Sequence, residues 1–284
     1  MVAARRLTGY AGTGMPQDGN GYSERIQRVV DYLSAHLDDT LDLETLALVA
    51  CFSPYHFHRV YRGLLGETVS ETVRRLRLQR AAIDLLDREL TIERTARRAG
   101  YASQAAFTRA FRAEYGEPPA RYRGGDELPV HYQVAIEHSP PFRVAMISRR
   151  GDYRFTSQAF ERLMTVAATT GMLAPGTRTI GIYYDDPESV PEAQLRSAAC
   201  ISVPDGWQPS GELIAASIEG GRYAKIFHIG PYHELKQAYD WLYRKWLPSS
   251  GEEPRDAPCL EEYLSDPRQE AAKDLRTAIL MPLR

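Results

Sequence analysis

One phrase of this sequence is present twice, with its second copy about fifty residues after the first. The copies span residues 47–66 and 96–116, and apolar residues recur in each with the 3.6-residue period of an amphipathic helix. The pairs that match after a short turn are Ser53 and Ser103, Phe57 and Phe107, Arg59 and Arg109, and Gly66 and Gly116. Each unit must bury its apolar stripe against a neighbour. The repeat therefore predicts two helix-turn-helix units in one all-α N-terminal domain.

Helix start signals divide each copy into a short supporting helix and a second helix. Asp42 is predicted to cap the first supporting helix, and Ser53-Pro54 to begin the second helix with proline at a tolerated position. A long helix from about Thr68 to Leu86 is predicted to join the two units. Its outward face is expected to carry Arg74, Arg75 and Arg77. One rigid helix between two units predicts two contacts with a single polymer.

The charge is unevenly distributed, although the whole chain carries a net charge of only -2. Residues 53–123 hold fourteen arginines and eight acidic residues, whereas residues 127–284 hold seventeen basic and twenty-one acidic residues. No lysine precedes Lys225. The planar guanidinium group of arginine suits phosphate and guanine, which lysine contacts only as a point charge. This distribution is typical of a nucleic-acid-binding half joined to a half that does not bind nucleic acid.

The second copy also resembles a known family. Its residues match the signature of the AraC/XylS transcription regulators, and the likeness covers about residues 22–123. The first copy departs from the family pattern at Cys51, where the family has glycine. A left-handed backbone at this turn would cost a cysteine about 1 kcal/mol. The residues that carry the resemblance are Gly100-Tyr-Ala-Ser-Gln-Ala-Ala-Phe107-Thr-Arg-Ala-Phe111, Gly116, Pro119 and Tyr122-Arg123.

The resemblance implies that the second helix of each unit reads double-stranded DNA. Arginine can bind guanine with two hydrogen bonds and glutamine can do so with adenine. Two units on one rigid helix would reach successive major-groove segments about 34 Å apart, on an asymmetric site. RNA polymerase is a further expected partner. The expected base-facing residues are Tyr55, His58 and Arg59 in the first unit and Gln104, Thr108 and Arg109 in the second.

The C-terminal half contains a second, unrelated duplication. Residues 142–153 align with residues 221–232 at an offset of 79, and residues 183–187 align with residues 263–267 at an offset of 80. Between the aligned strands, each copy has one amphipathic helical pattern. Each copy thus reads β-α-β-β. The two copies predict an α+β domain with one curved sheet and both helices on one face.

This half resembles the GyrI-like, or SOUL-type, effector-binding domains over about residues 130–284. Residues 220–232 and 260–263 carry the likeness. The family binds small aromatic or cationic molecules between its two copies, and its central carboxylate corresponds here to Glu261. Strand alternation is expected to place Leu260 on the helix-packed face and Glu261 with Tyr263 on the opposite face. The expected ligand-binding residues are Glu261, Tyr263 and Tyr183.

Several classes of protein are disfavoured by the sequence. No apolar run reaches the roughly 20 residues of a membrane helix, and three distant cysteines do not indicate a disulfide framework. Cys51, His56 and His58 lack the spacing of a metal site. We therefore expect no metal, no cofactor and no membrane partner, and a cytoplasmic location.

The sequence leaves two alternatives to effector binding open. The first is a small-molecule hydrolase that uses Glu261 as a general acid or base, although no nucleophile motif accompanies it. The second is a C-terminal domain that binds a protein partner. We favour a regulator without catalytic residues. The expected domain boundaries are a disordered leader at 1–20, the DNA-binding domain at 21–124, a linker at 125–129 and the effector domain at 130–284.

Overall fold

The N-terminal part of the described chain is helical. The computed structural model describes residues 19–39, 41–87, 89–124 and 131–284. Residues 1–18 of the expected leader and the whole expected linker lie outside this description. The helices before the first strand are α1 (Gly19–Ala35), α2 (Leu43–Val49), α3 (Pro54–Leu65), α4 (Val69–Leu86), α5 (Ile92–Arg98), α6 (Gln104–Tyr115) and α7 (Pro119–Gly124).

These helices form the two predicted units. Helices α2 and α3 make the first unit, α5 and α6 make the second, and α4 joins them. The Asp42 side chain accepts a hydrogen bond from the Thr45 amide, which caps α2 as expected. Thr68 and Glu71 close a capping box at the start of α4. Phe57 of α3 and Phe107 of α6 are each fully buried in a separate apolar cluster, so each unit has its own core.

The turns of the two units share a left-handed residue. Gly100 has a φ of 81°, and Cys51 occupies the corresponding place with a φ of 52°. Cys51 is the only non-glycine residue of the described chain with a positive φ. The Arg25 guanidinium group holds this turn, because its Nε donates to the Ala50 carbonyl at 2.6 Å. It also lies 3.7 Å from the centre of the Phe52 ring. The strain expected from cysteine at the turn is therefore present.

The C-terminal half is an α+β domain built from two repeats, as predicted. All eight described strands belong to one antiparallel sheet of order β1-β6-β8-β7-β3-β4-β2-β5. Each repeat has one strand more than expected, namely β1 and β5. The two repeats exchange these strands. Strand β1 of the first repeat pairs with β6 of the second, and β5 of the second repeat pairs with β2 of the first. The strands are β1 (Ala135–Ser139), β2 (Phe142–Arg150), β3 (Thr179–Tyr183), β4 (Arg196–Val203), β5 (Ile214–Ile218), β6 (Gly221–Ile229), β7 (Cys259–Tyr263) and β8 (Arg276–Leu283).

Both repeat helices pack on the same face of this sheet. They are α8 (Ser157–Thr169) and α9 (Leu235–Trp241), and α9 continues through a π-helical turn, Leu242–Trp246, into α10 (Leu247–Ser250). The other face is buried as well, because the curved sheet encloses an apolar cluster that contains Leu260 and Ile180. The predicted orientation of β7 is therefore wrong. Glu261 and Tyr263 face the helices, and Leu260 does not, because apolar residues line both faces of the sheet and alternation alone cannot distinguish them.

The predicted outward face of α4 is also wrong for two of its three arginines. Arg75 is 9% exposed and forms ion pairs with Glu67 and with Glu161 of α8. Arg77 is half-buried, and its Nε donates to the Leu37 carbonyl at 2.8 Å. Arg74 is exposed as expected. Other elements surround α4, so it has no single solvent face. Its sequence pattern alone therefore could not predict which of the three arginines are exposed.

Candidate nucleic-acid interface and buried carboxyl site

The expected base-facing residues of the first unit lie on one exposed surface. Tyr55, His58 and Arg59 are all exposed near the N-terminal end of α3. The Arg59 guanidinium carbon lies 4.7 Å from the centre of the Tyr55 ring, a cation–π contact that orients the arginine. Proline at the first helical position fixes where α3 begins.

The second unit presents a similar surface. Gln104 and Arg109 are exposed, whereas Thr108 is half-buried. The Ser103 hydroxyl accepts a hydrogen bond from the Ala106 amide and caps α6. Ser53 makes no such side-chain bond at the start of α3. The two second helices therefore share their exposed positions but differ in residue type and in capping.

Arg59 and Arg109 are free to bind an anionic ligand. Neither arginine takes part in any of the ion pairs found among the described residues, although many other arginines do. An arginine without an acidic neighbour keeps its five N–H donors for a ligand. Both side chains can therefore bind phosphate or the acceptor edge of guanine.

A buried carboxyl group forms the centre of the C-terminal domain. Glu261 lies in β7, pairs directly with Gly181 of β3 and is only 5% exposed. The Tyr263 hydroxyl donates to its Oε2 at 2.7 Å, and the Tyr239 hydroxyl donates to its Oε1 at 3.1 Å. The Tyr183 and Tyr263 hydroxyl oxygens are 2.8 Å apart. The structure thus brings the three expected ligand-binding residues together and adds Tyr239.

Burial changes the acidity of this cluster. Loss of water around Glu261 raises the pKa of its carboxyl group to about 7, although the tyrosine hydrogen bonds oppose this rise. Burial and the nearby carboxylate raise the pKa values of Tyr183, Tyr239 and Tyr263 well above the usual range. The hydroxyls are therefore donors at neutral pH. Glu261 itself is poised between its neutral and charged forms.

An aromatic shell surrounds the carboxyl group and follows the duplication. The Tyr153 ring packs edge-on against Tyr183 at 4.9 Å, and the Tyr232 ring packs likewise against Tyr263 at 5.1 Å. Tyr153 and Tyr232 are equivalent in the two repeats. Phe160 of α8 lies 5.0 Å from Tyr263 and is the equivalent of Tyr239. The sequence analysis did not identify Tyr239, and the offset of 79 residues is the signal that could have done so.

The two repeats differ where the carboxyl group lies. Glu261 of the second repeat corresponds to Gly181 of the first. A methyl group at Gly181 would lie 2.8 Å from Tyr183 Cε2 and 2.9 Å from the Tyr263 hydroxyl. Glycine is therefore needed for the two tyrosines to meet in front of the carboxyl group. The result is a single carboxyl group at the centre of the aromatic shell.

The described residues give no support to a metal site, a membrane span or a reactive thiol. No group of three or more histidine, cysteine or acidic residues among them is arranged to hold a metal ion. Within the same ranges, no helix has the length and apolar character needed to cross a membrane. Cys259 lies beside the cluster, but burial raises the pKa of its thiol to about 11. Its sulfur is therefore protonated and a poor nucleophile at neutral pH.

An exposed pair of helix-turn-helix surfaces, joined to a domain with a buried carboxyl site, defines a DNA-binding protein with a ligand-binding domain. The model of the GyrI-like small molecule binding domain matches residues 132–284, and a helix-turn-helix domain model matches residues 46–125. The chain belongs to the AraC-type DNA-binding transcription regulators and carries a C-terminal domain of the GyrI-like small molecule binding family.

Individual relatives agree with this assignment. The regulatory protein SoxS of Salmonella typhimurium is 31% identical over 36% of this chain and 95% of its own length. The right origin-binding protein of Escherichia coli is 23% identical over 91% of this chain and 98% of its own length. The uncharacterized regulator YbfP of Bacillus subtilis is 34% identical over 36% of this chain. The matched part spans only 35% of the length of YbfP.

Solved structures show weaker similarity. The C-terminal domain of EcmrR is 20% identical, with a TM-score of 0.46 over 55% of this chain and 99% of that domain. A hydrolase from Listeria innocua is 14% identical, with a TM-score of 0.43 over 54% of this chain and 92% of its own. Scores below 0.5 do not establish a shared function.

Proposed function

We propose that this regulator senses a hydrophobic organic cation at Glu261 and reads an asymmetric DNA site with its two second helices. The cationic class of the effector is inferred from the buried Glu261 carboxyl group, which forms no ion pair with any basic side chain of the described residues. A cation with aromatic character would pair with the carboxylate and contact the faces of the surrounding tyrosine rings. Tyr183, Tyr239 and Tyr263 would supply those faces.

Calorimetry with a matched pair of probes tests the effector class. Benzyltrimethylammonium carries a positive nitrogen, and neopentylbenzene has the same shape with a neutral carbon. We expect the full chain to bind the cation and to bind the hydrocarbon at least about tenfold more weakly, as for the loss of one partly desolvated charge contact. Glu261→Gln should remove this preference, whereas Glu253→Gln, at an exposed carboxylate, should keep it. Equal binding of both probes would contradict a cationic effector.

The proposed DNA-reading residues are supported by their exposure, by their position on the helices and by the lack of ion pairs between Arg59 or Arg109 and any described residue. We propose that Tyr55, His58 and Arg59 contact one major-groove segment and that Gln104, Thr108 and Arg109 contact the next. Side chains near the start of a recognition helix reach base edges, while neighbouring basic residues hold the phosphates. Because the two sets differ in residue type, the two half-contacts would read different bases.

Electrophoretic binding to a site selected from random DNA by the full chain tests this assignment. Arg109→Ala should weaken specific binding by about 10- to 100-fold, because one bidentate arginine–guanine contact is worth about 1–3 kcal/mol. Arg121→Ala removes an exposed arginine of α7 that pairs with Glu117 and provides the matched control. Undiminished sequence preference after loss of both Arg59 and Arg109 would contradict the proposal.

RNA polymerase is the proposed partner on the promoter. An effector that prefers one conformation of the C-terminal domain would change how often the DNA-bound protein makes this contact. Transcription in vitro from a promoter that carries the selected site should change on addition of the full chain. Unchanged transcript levels across saturating protein would argue against a polymerase contact.

Hydrolysis is a second candidate, because a carboxyl pKa of about 7 suits a general acid or base at neutral pH. The protonated Cys259 thiol offers no nucleophile, so water would have to attack the substrate. Steady turnover of an activated ester, abolished by Glu261→Gln, would support this activity. Binding without turnover would leave the sensor as the only function of the site.

A further inference from the structure

The C-terminal domain contacts the first helix-turn-helix unit through α8. Helices α1 and α3 both pack on α8. Glu161 of α8 binds the Arg75 guanidinium group with two hydrogen bonds, of 2.5 and 3.2 Å. Glu67, 5% exposed, binds the same arginine from the loop before α4. The buried arginine therefore ties α8 to the helix that joins the two reading units.

The same domain contacts the second unit through a different segment. In the connection between β7 and β8, the turn Ala272–Asp274 lies against α6, and Arg268 donates to the Leu65 carbonyl of α3 at 3.4 Å. Ala272 and Leu275 are buried in the core cluster of the second unit, together with Phe111 and Tyr122. The Ala272 amide donates to Glu114 Oε1 of α6 at 3.1 Å. The second unit thus completes its core with residues of the C-terminal domain.

The first repeat shows that this contact is not a general feature of the repeat fold. Its equivalent connection contains the same short 3₁₀ turn, Glu192–Gln194, where the second repeat has Ala272–Asp274. Glu192 is 68% exposed, whereas its counterpart Ala272 is 8% exposed. The two connections thus differ in residue type, with an apolar residue in the connection that packs on α6 and a charged, exposed one in the other. This difference indicates a surface adapted to a partner.

Both contacts begin next to the carboxyl site. Tyr263, which donates to Glu261, packs on Phe160 of α8, and Phe160 immediately precedes Glu161. The strand that carries Glu261 and Tyr263 leads into the connection that contains Ala272–Asp274. A change in the position of Tyr263 can therefore displace α8 on one side and the connection after β7 on the other, and these two elements contact the two reading units.

We propose that the C-terminal domain is a clamp that fixes the spacing of the two reading units, with α8 holding the first unit and residues 272–275 holding the second. Glu161 and Ala272 are positioning residues that act through the units they hold and do not contact DNA. This inference rests on the proposed two-contact reading of DNA. Rigid units tolerate only one separation of their half-sites, because one added base pair rotates the second half-site by about 35°.

The test compares affinities of the full chain for its selected DNA site and for the same site with one central base pair added. The wild-type chain should lose at least about tenfold in affinity on the longer site, since several base contacts are misplaced. Ala272→Glu, which places a carboxylate among apolar side chains and beside Glu114, should reduce this loss to about threefold or less. Glu161→Lys, which repels Arg75, should do the same from the other contact.

Matched controls separate the clamp from general destabilisation. Glu192→Lys makes the same charge change as Glu161→Lys in the connection of the first repeat, where Glu192 pairs with Arg154 of the same repeat, so it should keep the wild-type ratio. Thermal unfolding shows that each variant is folded, and Glu161→Lys gives an answer if Ala272→Glu does not fold. A footprint with only one half-contact would overturn two-contact reading and the clamp with it. Two half-contacts with an unchanged affinity ratio in Ala272→Glu and Glu161→Lys would overturn the clamp alone.

Discussion

At the scale of single residues, Glu261 illustrates how burial sets chemistry. Its carboxyl group accepts hydrogen bonds from Tyr239 and Tyr263, yet loss of solvent still raises its pKa to about 7. The ordinary value of 4.5 applies to the unfolded chain. Between these two values the folded protein holds a proton that the unfolded chain has released. The contribution of Glu261 to stability therefore falls as the pH rises from about 4.5 to about 7 and stays low above it.

Glu261→Gln should remove this pH dependence. At pH 8 the variant should be more stable than the wild type by up to about 3 kcal/mol, since each unit of pKa shift corresponds to about 1.4 kcal/mol. At pH 5 most of this advantage should be gone, because the folded wild type is then protonated. Denaturant unfolding at both pH values measures the difference. An advantage of equal size at pH 5 and pH 8 would show that the carboxyl group is not titrating as described.

Cys51 carries a second residue-scale prediction. Its φ of 52° is favourable for glycine and strained for cysteine. Cys51→Gly should therefore raise the free energy of unfolding of the N-terminal domain by about 1 kcal/mol. Cys51→Ala removes the thiol but retains the strain, and it should show no such gain. If Cys51→Ala stabilises the chain as much as Cys51→Gly does, the backbone is not the cause.

At the scale of elements, the pairing of β3 with β7 places Gly181 opposite Glu261 and leaves room for the two tyrosines. Gly181→Ala should force Tyr183 or Tyr263 to move and should cost about 1–3 kcal/mol of stability. Binding of benzyltrimethylammonium should weaken as well. Gly206→Ala is the control, because nothing lies within 4 Å of the added carbon there. Unchanged cation binding in Gly181→Ala would exclude this space as part of the site.

The elements also show what the sequence can and cannot predict. Both helix-turn-helix units, the joining helix and the core strands of each repeat could be predicted, because periodic apolar residues and duplication point the same way. The added strands β1 and β5 could not, since each is a largely exposed edge strand that pairs with a strand of the other repeat. Glu261 faces the helices because the curved sheet buries both of its faces, and Arg75 is buried because the C-terminal domain covers it. Alternation within one strand or helix carries no such information.

At the scale of the whole molecule, two duplications serve two different purposes. The N-terminal copies keep their arginines equivalent and exposed, which suits two similar contacts with DNA. The C-terminal copies differ at the centre of the site, with Gly181 in the first and Glu261 in the second, which suits the proposed asymmetric ligand site. The C-terminal domain contacts both DNA-reading units. The proposed clamp would transmit a change at the carboxyl site to the spacing of the two units.

Hydroxyl-radical footprinting tests the central claim most directly. The full chain, bound to the DNA site that it selects, should protect two segments on one face of the duplex, about 34 Å apart. Arg59→Ala should weaken protection of one segment, and Arg109→Ala should weaken protection of the other. A single protected segment, or loss of the same segment in both variants, would contradict reading by two units of one chain.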